Sequence, residues 1–149
     1  TPVITTDKTP FEIGKAYVFQ DGADVTLLAT GTMTFHALAA ADKLLKDGIH
    51  AEVIHVPTIK PLDAKTILES VKKTGCVVTA EEAQINGGFG SAIAELLAEQ
   101  HPVPLFRIGM KDRFGESGEP EELMVHFGLD AKHIVLAAHS VMQRRSHKA

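Results

Sequence analysis

One stretch limits what this chain can fold into more than any other: residues 76–98 read CVVTAEEAQINGGFGSAIAELLA. A short apolar strand ends in two carboxylates, Glu81 and Glu82. A polar loop follows, and glycines then open an amphipathic helix. The run Cys76, Val77, Val78 suits a strand covered on both faces, because it leaves no polar side for water. Gly87, Gly88 and Gly90 permit backbone geometry or close approach that a side chain would block. Ile93, Leu96 and Leu97 form one apolar stripe along the helix. A strand buried on both sides needs helices above and below it, which makes the fold α/β.

The rest of the chain repeats the alternation. Residues 16–19 and 25–29 are strand-like and are separated by the turn residues 20–24, which predicts a hairpin with the first strand as an antiparallel edge. Residues 30–34 turn into a helix with Leu38, Ala41 and Leu45 facing inward, stopped at Gly48. Residues 51–56 form the next strand. Asp63 is an N-cap for a helix carrying Ile67, Leu68 and Val71 and ending near Gly75. The glycine-opened helix should run to about Gln100, and residues 105–108 form the last strand. Residues 121–127 read as a short helix ended by Gly128. Asp130 then caps a final helix with Ile134, Ala138, Val141 and Met142 inward. Strands alternating with helices predict a three-layer domain: a mainly parallel five-stranded sheet, one antiparallel edge strand, and helices on both faces.

The 149 residues fit one domain with a proper core. Residues 1–10, rich in Thr, Pro and charge, read as a linker from a preceding domain; residues 11–143 form the domain and 144–149 a frayed tail. A net charge of -4 gives no footprint for nucleic acid or acidic membranes. No apolar run is long enough to span a bilayer. The single cysteine, Cys76, fits a reducing compartment, so the cytoplasm is expected.

Several chemistries fail on spacing. Gly88-Phe89-Gly90 begins like a dinucleotide fingerprint, but Ile93 stands at the third glycine position and residues 81–86 separate the strand from the glycines, where an immediate turn is needed. Asp112 at a tempting distance is one coincidence. The alternative of a nucleotide- or phosphate-binding regulatory module on this loop stays open. The eight histidines make no two-ligand pair on one helix, and no second cysteine joins them, so no metal site is expected. Ser117 follows a charged loop rather than a strand, which suits a turn better than a hydrolase nucleophile. Glu81 and Glu82 are adjacent on a strand and point to opposite faces, so they do not form an acid/base pair. Lys60, Lys111, Asp112 and Arg113 should crowd the same sheet edge as a mixed-sign rim.

Four motifs in order carry a resemblance: residues 11–16 (FEIGKA), 58–63 (TIKPLD), Glu81-Glu82 with 87–91 (GGFGS), and 114–118 (FGESG) with Phe127-Gly128-Leu129 behind. Together they resemble the C-terminal domain of transketolases over nearly the whole chain. The same domain type closes deoxyxylulose phosphate synthases and 2-oxo acid dehydrogenase beta subunits. Residues 115–118 and 127–129 favour transketolase. Ala83 departs from the pattern, since transketolases often have His after the acidic pair; a transketolase made as separate N- and C-terminal subunits becomes attractive.

The resemblance implies transfer of a two-carbon ketol unit between sugar phosphates in the non-oxidative pentose phosphate pathway. It assigns thiamine diphosphate and a divalent metal, Mg, to an N-terminal diphosphate-binding domain and a pyrimidine-binding domain. None of those residues has a motif in this chain, so no catalytic, cofactor or metal position is carried over. The expected role is packing on the preceding pyrimidine-binding domain and support of a homodimer. The interface residues expected on that reading are Glu81, Glu82, Asn86, Gly87, Gly88, Phe89, Lys111, Asp112, Arg113, Phe114, Gly115 and Glu116. Phe89 is the apolar anchor among them, with ordinary core packing as its alternative.

Overall fold

The computed structural model describes residues 12–84, 88–110 and 130–145. Five strands form one sheet: β1 (Tyr17–Gln20), β2 (Val25–Ala29), β3 (Ala51–His55), β4 (Val77–Gln84) and β5 (Leu105–Met110), in the order β1-β3-β2-β4-β5. β1 runs antiparallel to β3, and the other neighbours are parallel. The described helices are α1 (Met33–Lys46), α2 (Ala64–Thr74), α3 (Phe89–Gln100) and α4 (Ala131–Arg144). The short helix expected at residues 121–127 lies outside the described residues.

The expected edge strand is there, but the hairpin is not. β1 pairs with β3, matching Tyr17 to His55 and Val18 to Ile54, and β3 lies between β1 and β2. The reason is burial. Every residue of β2 is buried, so β2 takes parallel partners on both sides, while partly exposed β1 suits an edge. The link from β1 to β2 must therefore cross the start of β3. It crosses at Gly22, where a Cβ would lie 2.4 Å from the Ala51 carbonyl carbon and 2.5 Å from the His50 oxygen. Nothing larger than glycine fits that crossing.

Two cores sit on the two faces. Beneath α1 and α4 lie Leu27, Ala29, Met33, Leu44, Val78, Ile108 and Ile134, among others. Beneath α2 and α3 lie Leu28, Ile54, Ile67, Val71, Phe89, Ile93 and Leu97. Alternation of Leu27 and Leu28 to opposite faces is the period-two rule at work. In α1 the inward set is Ala37, Ala40, Ala41 and Leu44, with Leu38 partly buried against it. Leu45, expected inward, is 47% exposed. It follows Leu44 by one residue, about 100° around the helix, which carries it off the buried stripe.

Capping follows the sequence closely. Asp63 accepts the Thr66 amide at 3.2 Å and Asp130 the His133 amide at 3.1 Å. Gly75 ends α2 with φ of 77° in the left-handed region. α4 reaches Arg144, and the Arg145 guanidinium donates to the carbonyls of Asp24 and Thr74; residues 146–149 of the tail lie outside the described residues. No helix among the described residues is long and apolar enough to cross a membrane.

Candidate functional site: the carboxyl edge of the sheet

In parallel sheets, ligand crevices and contacts gather where strands end. β4 delivers Glu81 to that edge, and the strand is longer than its apolar run. It stays paired with β5 through Ala80–Ile108 and again at Gln84–Met110, with an irregularity between. Both carboxylates therefore lie within the strand rather than beyond its end. Their directions differ as a strand requires: Glu81 is 2% exposed and Glu82 is exposed.

Glu81 turns toward α3. Its Oε1 accepts the Phe89 amide at 2.9 Å, and its Oε2 accepts the Gly90 amide at 2.5 Å. These are two of the amides that the first turn of a helix leaves without an internal partner. The residue just before α3 is Gly88, which has no side chain to cap with, so the strand carboxylate of Glu81, seven positions earlier, does the work. Burial pushes the Glu81 carboxyl above the ordinary glutamate range, against the opposing pull of the two amides and of Arg107.

Gly90 makes this approach possible. A Cβ there would stand 3.0 Å from Thr79 Oγ1, 3.1 Å from Arg107 Cδ and 3.1 Å from Glu81 Oε2. Gly88, in contrast, has φ of -97° and ψ of -156°, extended backbone open to any residue. The glycine requirement belongs to Gly90 by close approach, not to Gly88 by backbone freedom. Thr79 and Arg107 are register partners on β4 and β5, and Arg107 Nη1 donates to Ser91 Oγ at 3.1 Å.

Phe89 is 1% exposed and packs with Leu28, Val77 and Ile93. That burial accords with core packing, the alternative reading of this residue. Asn86, Gly87, Lys111, Asp112, Arg113, Phe114, Gly115 and Glu116 lie outside the described residues, as do Ser117 and His126. Lys60 is exposed in the loop after β3.

The other half of the edge joins two of the four motifs. Gly14 donates its amide to Thr58 Oγ1 at 3.1 Å, and Ala16 donates to Asp63 Oδ2 at 2.9 Å. Asp63 thus caps α2 and fastens the approach to β1 with one carboxylate. Burial raises its carboxyl, but the hydrogen bonds from Ala16 and Thr66 outweigh that and hold it below the ordinary range. His55, at the end of β3, is buried beside Thr34, with Nδ1 2.8 Å from its Oγ1, and stacks on Phe19 at 5.3 Å. Burial lowers its pKa, favouring the neutral ring.

Sequence reasoning missed Thr79, Arg107 and Asp63 as edge-building residues. Thr79 was reachable, because positions 79 and 81 share a strand face. Arg107 required the β4–β5 register, which no local pattern carries. Among the described residues, no group of three or more His, Cys, Asp or Glu could hold a metal ion.

The comparisons agree with this architecture. The family model described as "Transketolase, C-terminal domain" matches residues 14–134. The 6-deoxy-6-sulfo-D-fructose transketolase subunit SqwH of Clostridium sp. (strain MSTE9) is 50% identical over 145 residues, 97% of this chain and 45% of that protein. The 1-deoxy-D-xylulose-5-phosphate synthase 1 of Geobacter sulfurreducens is 40% identical over 92% of this chain but only 22% of its own length. A solved structure titled "Split gene transketolase, inactive beta4 tetramer" superposes with a TM-score of 0.91 at 41% identity, covering 97% of this chain and 48% of that one. The chain thus spans about half, or less, of the length of these relatives. On the extent of the family match and the likeness over 97% of its length, this chain belongs to the transketolase C-terminal domain family.

Proposed function

We propose that this chain is the C-terminal section of a thiamine diphosphate-dependent transketolase, and that it serves assembly rather than chemistry. The observation that carries the reading is the 50% identity, along 97% of the chain, to a protein named as a transketolase subunit. The likeness to about half of a chain from a split-gene transketolase supports the same family of enzyme. Diphosphate- and pyrimidine-binding domains, with thiamine diphosphate and the divalent metal, come from elsewhere in the enzyme. The cofactor's own chemistry makes the carbanion, and protein groups position it.

On this reading the carboxyl edge of the sheet, with Glu82, Lys60 and residues 86–88 and 111–116, packs on the pyrimidine-binding domain and supports a homodimer in the cytoplasm. Glu81 and Phe89 shape the edge from within. The reaction is transfer of a two-carbon ketol unit between sugar phosphates, as in the pentose phosphate pathway, with the sugar read by the other domains. A synthase C-terminal domain is the second reading. The 40% identity to such an enzyme supports it less strongly than the 50% identity supports a transketolase.

Purified alone with thiamine diphosphate, magnesium and pentose phosphates, the chain stays inert. Mixed with a polypeptide carrying the two other domains, it yields ketol transfer. Steady turnover by the chain alone, or full activity of the partner without it, overturns the proposal.

A further inference from the structure

The first turn of α3 brings its own amides together with polar side chains from β4 and β5. Glu81 takes the amides of Phe89 and Gly90. Arg107 approaches the same turn, its Cδ 3.1 Å from where a Gly90 Cβ would stand, and its charge acts on Glu81. Ser91 lies next in α3 and accepts from that guanidinium. Thr79 Oγ1 is fully buried, has no hydrogen-bond partner, and lies 3.0 Å from the same Gly90 position. An unpaired buried hydroxyl is costly, and this one faces the helix terminus rather than an apolar wall. Two amides and a buried hydroxyl at a helix N-terminus are the donor set of a small oxyanion site, with Arg107, engaged on Ser91, supplying positive charge beside it.

We propose that this turn is an oxyanion cradle which the chain fills with its own Glu81 carboxylate, so that Glu81 determines whether a small oxyanion can occupy the first turn of α3. The ligand class of the emptied cradle is a small carboxylate or inorganic phosphate. The planar carboxylate satisfies the two amides and leaves the Thr79 hydroxyl over; a tetrahedral anion has an oxygen to spare for it. The inference stands apart from the assembly reading, because it concerns donors inside this chain alone.

The test compares the wild-type chain with Glu81→Ala and Glu81→Gln. Thermal melting is followed in sodium formate, sodium phosphate and sodium chloride at matched ionic strength, with calorimetric titration of phosphate alongside. Glu81→Ala melts about 3 °C or more higher in formate or phosphate than in chloride, the size of shift that millimolar-range binding gives. Wild type and Glu81→Gln, whose side chains still fill the turn, shift equally little in all three salts, which removes any general salt effect. Adding Thr79→Val to Glu81→Ala reduces the phosphate response more than the formate response. Should Glu81→Ala not fold in chloride, refolding in phosphate or formate but not chloride supports the cradle, and failure in all three counts against it. A folded Glu81→Ala indifferent to anion identity overturns the proposal. So does phosphate binding by wild type as tight as by the variant, since Glu81 then excludes nothing.

Discussion

Where the parallel strands begin, Thr26 Oγ1 meets Ser70 Oγ at 2.8 Å and Thr74 Oγ1 at 2.7 Å, Glu52 pairs with Lys73, and Arg145 binds the carbonyls of Asp24 and Thr74. Toward the end where they finish, Thr79 keeps an unpaired hydroxyl and Glu81 is a buried carboxylate held above its ordinary range. The first set closes its own hydrogen bonds and fixes strand positions. The second leaves polarity incompletely matched on the edge where parallel sheets carry their contacts. The two ends differ in how completely their buried hydroxyls are paired.

The comparison breaks most visibly at its glycines. Gly22→Ala places a methyl 2.4 Å from backbone that cannot step aside, so a loss above about 4 kcal/mol, or no folded chain, is expected in urea unfolding. Gly90→Ala meets only side chains at 3.0 to 3.1 Å, which can yield, and should cost about 1–3 kcal/mol. Equal losses in the two variants would mean that the edge around Gly90 is as rigid as the crossing.

Thr26→Val should cost about 1–3 kcal/mol, because it strips partners from Ser70 and Thr74. Thr79→Val keeps shape and removes an unmatched hydroxyl, so it should be neutral or stabilising by up to about 1 kcal/mol. Destabilisation by Thr79→Val as large as by Thr26→Val would erase the distinction between the ends.

The smallest effect is a difference in pH slope. Burial raises Glu52, but hydrogen bonds from Lys73, Ser70 and Gly22 outweigh it, and its carboxyl titrates below the ordinary range. Its contribution is present above the unfolded glutamate value and fades as pH falls through the lowered folded value. Glu81 is raised, so its contribution is full below the unfolded value and is lost as pH rises through the raised folded value. Urea midpoints from pH 3 to 7 should therefore change slope in opposite senses for Glu52→Gln and Glu81→Gln. Parallel changes would show that the two carboxylates share one environment.

Much of this fold is written locally. Caps at Asp63 and Asp130, the stop at Gly75 and the apolar stripes of α2 and α3 each lie within a few neighbouring residues, where helix physics acts. The hairpin misreading shows the limit. The turn between β1 and β2 looks like a hairpin in its own residues, and only the competing burial of β2 beside β3 and β4 decides otherwise. The candidate edge was half legible for the same reason. Its acidic pair and glycines stand out, but the cap on α3 comes from a different element, and Arg107 reaches it through strand register.

β1 runs against its neighbour, so the backbone comes into the sheet beside Thr58 and Asp63, whereas α4 finishes at the opposite pole, with Arg144 on the Leu105 carbonyl and Arg145 on that of Asp24. A fluorophore or affinity handle attached after residue 145 would ride at the pole remote from Glu81. A label on the approach to β1, near Gly14, would instead sit beside Thr58 on the rim proposed for subunit packing, so its position decides whether a reconstitution assay reports on the enzyme or on the label.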